Sequence, residues 1–199
     1  ARITNHLFIL NEWLVFLLMS IGVVTILTAV MMALVQHNYK KLLGYHAVSQ
    51  VGYMILGFGL CSAIGVAAGL FHMINHALYK SGLLLTAGSV EKRTNAENLE
   101  ELGGLSQAMP VTFACSLVFA LSISGIPPFN GFASKWMIYQ GIVESGTNPT
   151  LAGKFWFVWL ALAVLGSALT LASFIKFIGG IYLSGKKEKW RHVREVPAM

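Results

Sequence analysis

The chain has 199 residues, of which 56% are hydrophobic and only 11% charged, with a mean hydropathy of +0.68. A soluble domain carries about 25% charged residues, so this polar surface cannot cover a globule in water and an all-α membrane protein is implied. The net charge of +6 does not point to nucleic acid, because the basic residues sit in short connections between apolar runs.

Residues 1–3, Ala-Arg-Ile, carry no initiator Met, and no charged-then-apolar leader pattern follows. The start reads as that of a processed product or of a section of something longer. A helix needs about 20 apolar residues to cross about 30 Å of hydrocarbon. Residues 13–35 meet this without a single charge, and residues 42–61 form a second span. A third runs over 64–90 and holds His72, His76 and Lys80, and the acidic and basic stretch 90–109 reads as a loop. Residues 110–144 are apolar but interrupted at 125–131 by Gly-Ile-Pro-Pro-Phe-Asn-Gly. As one straight helix they would be about 52 Å long, too much for one crossing. Two half-helices joined by an extended segment fit the length. The last span is 154–183, and residues 184–199 form a basic tail with Lys186, Lys187, Lys189, Arg191 and Arg194.

That makes five crossings, one of them discontinuous, within a bundle over 1–183. Loop charge agrees with an odd number. One face receives nine Lys/Arg (Lys40, Lys41, Lys92, Arg93 and five in the tail), and the other only Arg2 and Lys154. Cytoplasmic connections carry the Lys/Arg excess, so the tail is expected to be cytoplasmic.

Cys61 and Cys115 have no metal-ligand spacing and say nothing of the redox compartment. No glycine-rich phosphate loop, CxxC pair, nucleophile elbow or redox centre is present. The chemistry therefore rests on ionisable groups at membrane depth. His72, His76 and Lys80 are spaced i, i+4, i+8, which places them on one helix face climbing about 12 Å. Such groups are costly in a membrane and normally face the bundle interior or water. Histidine exchanges protons near neutral pH, so the row suits proton hopping; the alternative is helix bridging by hydrogen bonds. Lys135 follows the Pro127-Pro128 break, with Gly125 and Gly131 on either side. Each proline lacks an N–H and disrupts the helix, and irregular backbone at depth is tolerated only inside protein or beside a wet cavity. Broken helices of transporters set their free ends at ion sites, so Lys135 is a candidate ion-path residue; otherwise it snorkels to an interface. His46 either extends the polar row or lies near the headgroups. Lys176, near the end of the last span, either joins the path or snorkels. Glu144 is expected to be solvated, and the tail cations to act as anchors beside anionic lipid.

The string from Lys40 to Met54, KKLLGYHAVSQVGYM, resembles the (D)LKRLLAYSSxSQxGYM motif of the antiporter-like subunits. These occur in respiratory complex I, membrane-bound hydrogenases, formate hydrogenlyases and multisubunit cation/proton antiporters. His72-x3-His76-x3-Lys80 followed by Ser81-Gly82-Leu83-Leu84 is similar to that family's H-x3-H-x3-K-A-L-L-F helix. Gly103-Gly104-Leu105 with Met109-Pro110 resembles its GGL…MP loop, and residues 125–135 resemble its G-[IL]-P-x4-GF-x-[SG]-K segment. Two departures are Asn38-Tyr39, where Asp is usual, and His46 in place of Ser.

The resemblance implies a proton- or sodium-translocating subunit built of two inverted five-helix repeats, of which this chain is the C-terminal one. His72, His76 and Lys80 would belong to a central hydrophilic axis, Lys135 would be the lysine of the exit-side broken helix, and Lys176 would match a basic residue in the next helix. It implies no cofactor in this chain, with iron–sulfur, flavin or metal centres in peripheral redox subunits. The other implied partners are membrane subunits, including whatever supplies the second repeat, together with lipid. The site would be an energy-conserving membrane, the prokaryotic plasma membrane first. The rivals are an antiporter subunit without a redox partner and a non-conducting scaffold.

Overall fold

A computed structural model describes residues 12–185, 188–190 and 192–196. The helices are α1 (Glu12–Leu34), α2 (Tyr39–Gly59), α3 (Ala63–Thr94), α4 (Pro110–Ser124), α5 (Asn130–Ser145), the short α6 (Leu151–Lys154) and α7 (Trp156–Ile178). A π-turn over Gly179–Leu183 and a 3-10 turn over Glu188–Trp190 follow. Among the described residues there is no strand, only an isolated bridge between Asn38 and Asn98. Arg2, Lys186, Lys187 and Arg191 lie outside the described residues.

Local chemistry sets the helix ends. Asn38 caps α2 by accepting from the amides of Lys40 (3.0 Å) and Lys41 (3.1 Å), so both lysines sit in the first helical turn and not in the expected loop. Ser62 caps α3 through the Gly65 amide (3.1 Å), and Asn95 ends it in the left-handed region. The third helix thus continues four residues beyond its expected end at 90. Pro110 opens α4, where its missing N–H costs nothing.

Helices Glu12–Leu34 and the Trp156–Leu183 stretch are long and apolar enough to cross a membrane on composition alone. The 21-residue α2 and 32-residue α3 are long enough but carry polar groups, most of which are buried. Helices α1 and α2 approach backbone to backbone: a Cβ on Gly52 would meet the Gly22 carbonyl oxygen at 2.7 Å. Ser49 Oγ crosses the same contact to the Ile26 carbonyl (3.2 Å).

Two apolar cores result. One joins the start of α2 (Leu42, Leu43), the end of α3 (Leu83, Val90), α4 (Ala120, Ile123) and the end of α7 (Phe174, Phe177). The other joins α1 (Val23, Ile26), the end of α2 (Leu56), α5 (Ile138, Ile142) and the start of α7 (Trp159, Ala163). Helices α4 and α5 therefore pack toward opposite ends of the same bundle. Between the cores lies a layer of buried polar side chains: His46 and Gln50 on α2, His72 and Asn75 on α3, Ser134 and Lys135 on α5, and Thr170 and Ser173 on α7.

The segment expected to be a polar loop is a folded cover. Its backbone pairs with the α1–α2 turn through Tyr39 N to Glu97 O (3.1 Å) and Leu99 N to His37 O (2.9 Å), and Leu99, Leu102 and Leu105 are buried. Lys40 bridges Glu91 (2.5 Å) and Glu97 (2.9 Å). Lys40, then Asn38, hold the Glu97 carboxyl below its ordinary range by hydrogen bonding to its charged form. The described part of the tail is docked and not free: Trp190 and Val193 are buried, and Trp190 Nε1 donates to the Glu101 carbonyl (3.0 Å). Glu195 reaches the start of α4, accepting from the Val111 amide (3.0 Å), the Thr112 amide (3.4 Å) and the Thr112 hydroxyl.

Candidate functional site

The interruption after α4 is built to leave carbonyls in need of donors. A helix ends with four carbonyls that have no intrahelical partner, here those of Leu121, Ser122, Ile123 and Ser124. Gly125 turns left-handed (φ +81°) and lets the chain fold back. Its amide then donates to Ser122 O (3.0 Å) and that of Ile126 to Leu121 O (3.1 Å). The remaining two are taken by a side chain: Lys135 Nζ donates to Ile123 O (2.9 Å) and Ser124 O (3.4 Å). Pro127–Pro128 is a cis peptide. The chain re-enters helix at Asn130, and Gly131 packs directly on the Ser122 carbonyl, where a Cβ would collide.

Lys135 is buried, and its ammonium lies 4.8 Å from the centre of the Tyr53 ring, an aromatic face that attracts a cation. Either protonation state fits its carbonyl cradle. The ammonium has three N–H donors and the neutral amine two, enough for both carbonyls.

The row on α3 forms as the spacing requires. His72 is fully buried, and its Nδ1 hydrogen-bonds with Ser134 Oγ at 2.9 Å, one residue before Lys135. Its ring lies 5.7 Å from that of Tyr53. His76 is half-buried, edge-on to Tyr79 at 5.6 Å, with Nε2 enclosed and without a hydrogen-bond partner. Lys80 is buried and donates to the Leu43 carbonyl of α2. His46 is fully buried: its Nε2 pairs with Ser173 of α7, and its ring packs on Phe174 at 4.7 Å. His72 and Lys135 share the Tyr53 ring, and Lys80 follows His76 by one turn of the same helix.

Lys176 stands apart from these groups. Its ammonium caps the far end of α1, donating to Leu34 O (2.9 Å) and Gln36 O (2.7 Å). Sequence reasoning passed over several residues that complete the layer. Asn75 and Asn130 tie α3 to the start of α5 through two 3.1 Å bonds, and Ser122 donates to Asn130. Gln50 is buried beside His46 on α2. The available signal was a polar residue on the same helical stripe as His72 or His46. Among the described residues no group of three or more His, Cys, Asp or Glu gathers as a metal site would.

Lys135 thus holds the end of α4, and His72 reaches the residue beside it through Ser134. The sequence profile described as NADH:quinone oxidoreductase/Mrp antiporter, TM, matches residues 1–175. The chain belongs to this family. It is 34% identical over 190 residues to formate hydrogenlyase subunit 3 of Escherichia coli, covering 89% of this chain and 31% of that protein. It is 32% identical over 202 residues to Na(+)/H(+) antiporter subunit A1 of Staphylococcus saprophyticus, covering 94% and 25%. Among solved structures, the Mrp complex from Dietzia sp. superimposes with a TM-score of 0.84 at 31% identity, covering 94% of this chain and 33% of that one. The chain thus spans a third or less of each of these relatives. As a member of the NADH:quinone oxidoreductase/Mrp antiporter family it has the all-helical fold of a membrane-integral, antiporter-like subunit.

Proposed function

We propose that this chain moves protons, or sodium ions, through one antiporter-like repeat of a multisubunit energy-converting membrane complex. The observation that carries the reading is the set of buried ionisable groups: two lysines and two histidines inside the bundle, with half-buried His76 beside them and one lysine seated in a helix break. A buried group of this kind is expensive in lipid and is retained where it lines an ion path. Five crossings, with α4 and α5 sharing one of them, are supported by their packing toward opposite ends of the bundle. At about 22 and 24 Å, neither half crosses alone. The Lys/Arg excess supports a cytoplasmic C-terminal face.

On this reading His46, His72, His76, Lys80 and Lys135 exchange the ion, and Lys135 changes protonation without releasing the α4 carbonyls. The first assignment is to a hydrogenase-type or complex I-like oxidoreductase, in which partner subunits hold the redox centres and a further repeat completes the route. The 34% identity to a formate hydrogenlyase subunit supports it. The antiporter subunit and the Mrp complex support the second, a cation/proton antiporter without a redox module. Copurification with an iron–sulfur or flavin subunit separates the two.

The test of translocation is Lys135→Arg in the assembled complex reconstituted in vesicles. Arginine keeps the charge and the donors but does not deprotonate. Ion movement is expected to fall at least tenfold while assembly persists; movement at the unaltered rate would remove the titrating lysine from the mechanism.

A further inference from the structure

Gln50 is fully buried, yet neither its Oε1 nor its Nε2 meets a hydrogen-bond partner among the described residues. An amide in that state is disfavoured over an apolar side chain of the same shape. Its position explains what it is for. Leu43, His46, Gln50 and Tyr53 follow one another at steps of three and four and share one stripe of α2. Two contacts on this stripe tie α2 to α3: Lys80 donates to the Leu43 carbonyl, and the Tyr53 ring meets His72. Because the two helices run antiparallel, Gln50 stands opposite the α3 turn between His72 and Lys80. Four more enclosed side-chain atoms on these two helices lack hydrogen-bond partners: His46 Nδ1, one turn from Gln50 on α2, and His72 Nε2, His76 Nε2 and Tyr79 Oη on α3.

The two lysines do not touch. Lys80 is anchored at Leu43 and Lys135 over Tyr53, and ten residues of α2 rise about 15 Å. Direct proton transfer needs a separation of about 2.6–3.2 Å or a water between. A buried water makes about three hydrogen bonds to polar groups otherwise left unsatisfied, and these enclosed atoms supply both donors and acceptors.

We propose that Gln50 is a positioning residue that holds one water of a chain linking Lys80 to Lys135. This rests on the translocation reading and names how the gap in it is crossed. The water donates to Oε1 and accepts from Nε2. A proton leaves the ammonium of one lysine for the nearest water of the chain, each water or histidine along it, the Gln50-held water included, takes up one proton and passes one on, and the last gives a proton to the neutral amine of the other lysine. The first lysine ends neutral, the second charged, and Gln50 neither gains nor loses a proton.

The experiment uses the assembled complex in vesicles loaded with a pH-sensitive dye, comparing Gln50→Leu, Gln50→Glu and Lys135→Met. Gln50→Leu is expected to slow proton movement at least tenfold with assembly and melting temperature unchanged, and to raise the H2O/D2O rate ratio. Gln50→Glu, which keeps an oxygen acceptor, is expected to recover part of the rate with an altered pH profile. A loss of rate from mere packing damage would leave the isotope ratio and pH profile where they were, and that result overturns the proposal. If Lys135→Met abolishes movement while Gln50→Leu moves protons normally, Gln50 is overturned and the path survives; if Lys135→Met moves protons normally, the translocation reading itself fails. Should Gln50→Leu not assemble, a density map of the unaltered complex at water-resolving resolution decides: an ordered water within hydrogen-bond distance of the Gln50 amide supports the proposal, and none there overturns it.

Discussion

Replacing Lys135 with Met keeps most of the side chain's apolar stem and removes its N–H donors. The two carbonyls it serves, Ile123 O and Ser124 O, close the accounting for the end of α4, since Gly125 and Ile126 already satisfy the other two. Leaving a buried acceptor unsatisfied costs about 1–3 kcal/mol, so Lys135→Met is expected to destabilise this region by about 2–6 kcal/mol. Even the lower bound corresponds to a fall of about 4–8 °C in melting temperature for a domain of this size. The loss should be local first. Hydrogen exchange followed by mass spectrometry should show faster exchange at the last turn of α4 and the first of α5, with α1 unaffected. Lys135→Arg, which retains donors, is expected to melt within about 2 °C of the original while blocking translocation. If Lys135→Met melts at the original temperature and leaves exchange at the end of α4 unchanged, the lysine does not hold the break together and the cradle is incidental.

Lys176 caps the end of α1 through Leu34 O and Gln36 O, so Lys176→Arg should leave ion movement in vesicles near the original rate. Lys176→Met should lower the melting temperature, and a block by Lys176→Arg would place this residue in the path. Glu195 serves the free amides at the start of α4 as a charged cap. Glu195→Ala is expected to cost about 0.5–2 kcal/mol and to speed limited proteolysis of the tail; an unchanged cleavage rate would show that the tail does not depend on this contact.

What could be read from the sequence followed period and length. The i, i+4, i+8 spacing of His72, His76 and Lys80 needs only a helix to put them on one face, and α3 supplies it. Pro127-Pro128 between two glycines forces an interruption whatever surrounds it, and helix α4 ends at Ser124 accordingly. What could not be read depends on partners distant in the chain. The acceptors of Lys176 lie about 140 positions away, at the end of α1 and just beyond it, which no local pattern shows. The stretch 90–109 reads as loop for its charges, and beyond Thr94 it is one, but its apolar residues are packed and not free. Those apolar residues are buried by the start of α2 and the end of α7, which no local pattern shows. His46 was ambiguous because its depth depends on Ser173 and Phe174 coming to meet it.

The break and the lysine are best understood as one device. A helix interrupted at membrane depth exposes carbonyls that hydrocarbon cannot solvate, so the interruption is stable only with a donor that reaches back to it. A serine or an asparagine could supply one or two hydrogen bonds, but neither would change charge. A lysine supplies two N–H groups whether charged or neutral, so the donor that stabilises the break is free to titrate without undoing it. A path lysine held by a carboxylate would lose its partner's attraction on deprotonation, and the local structure would have to reorganise at every turnover. With carbonyl partners, the proposed change in protonation of Lys135 would leave α4 and α5 in place.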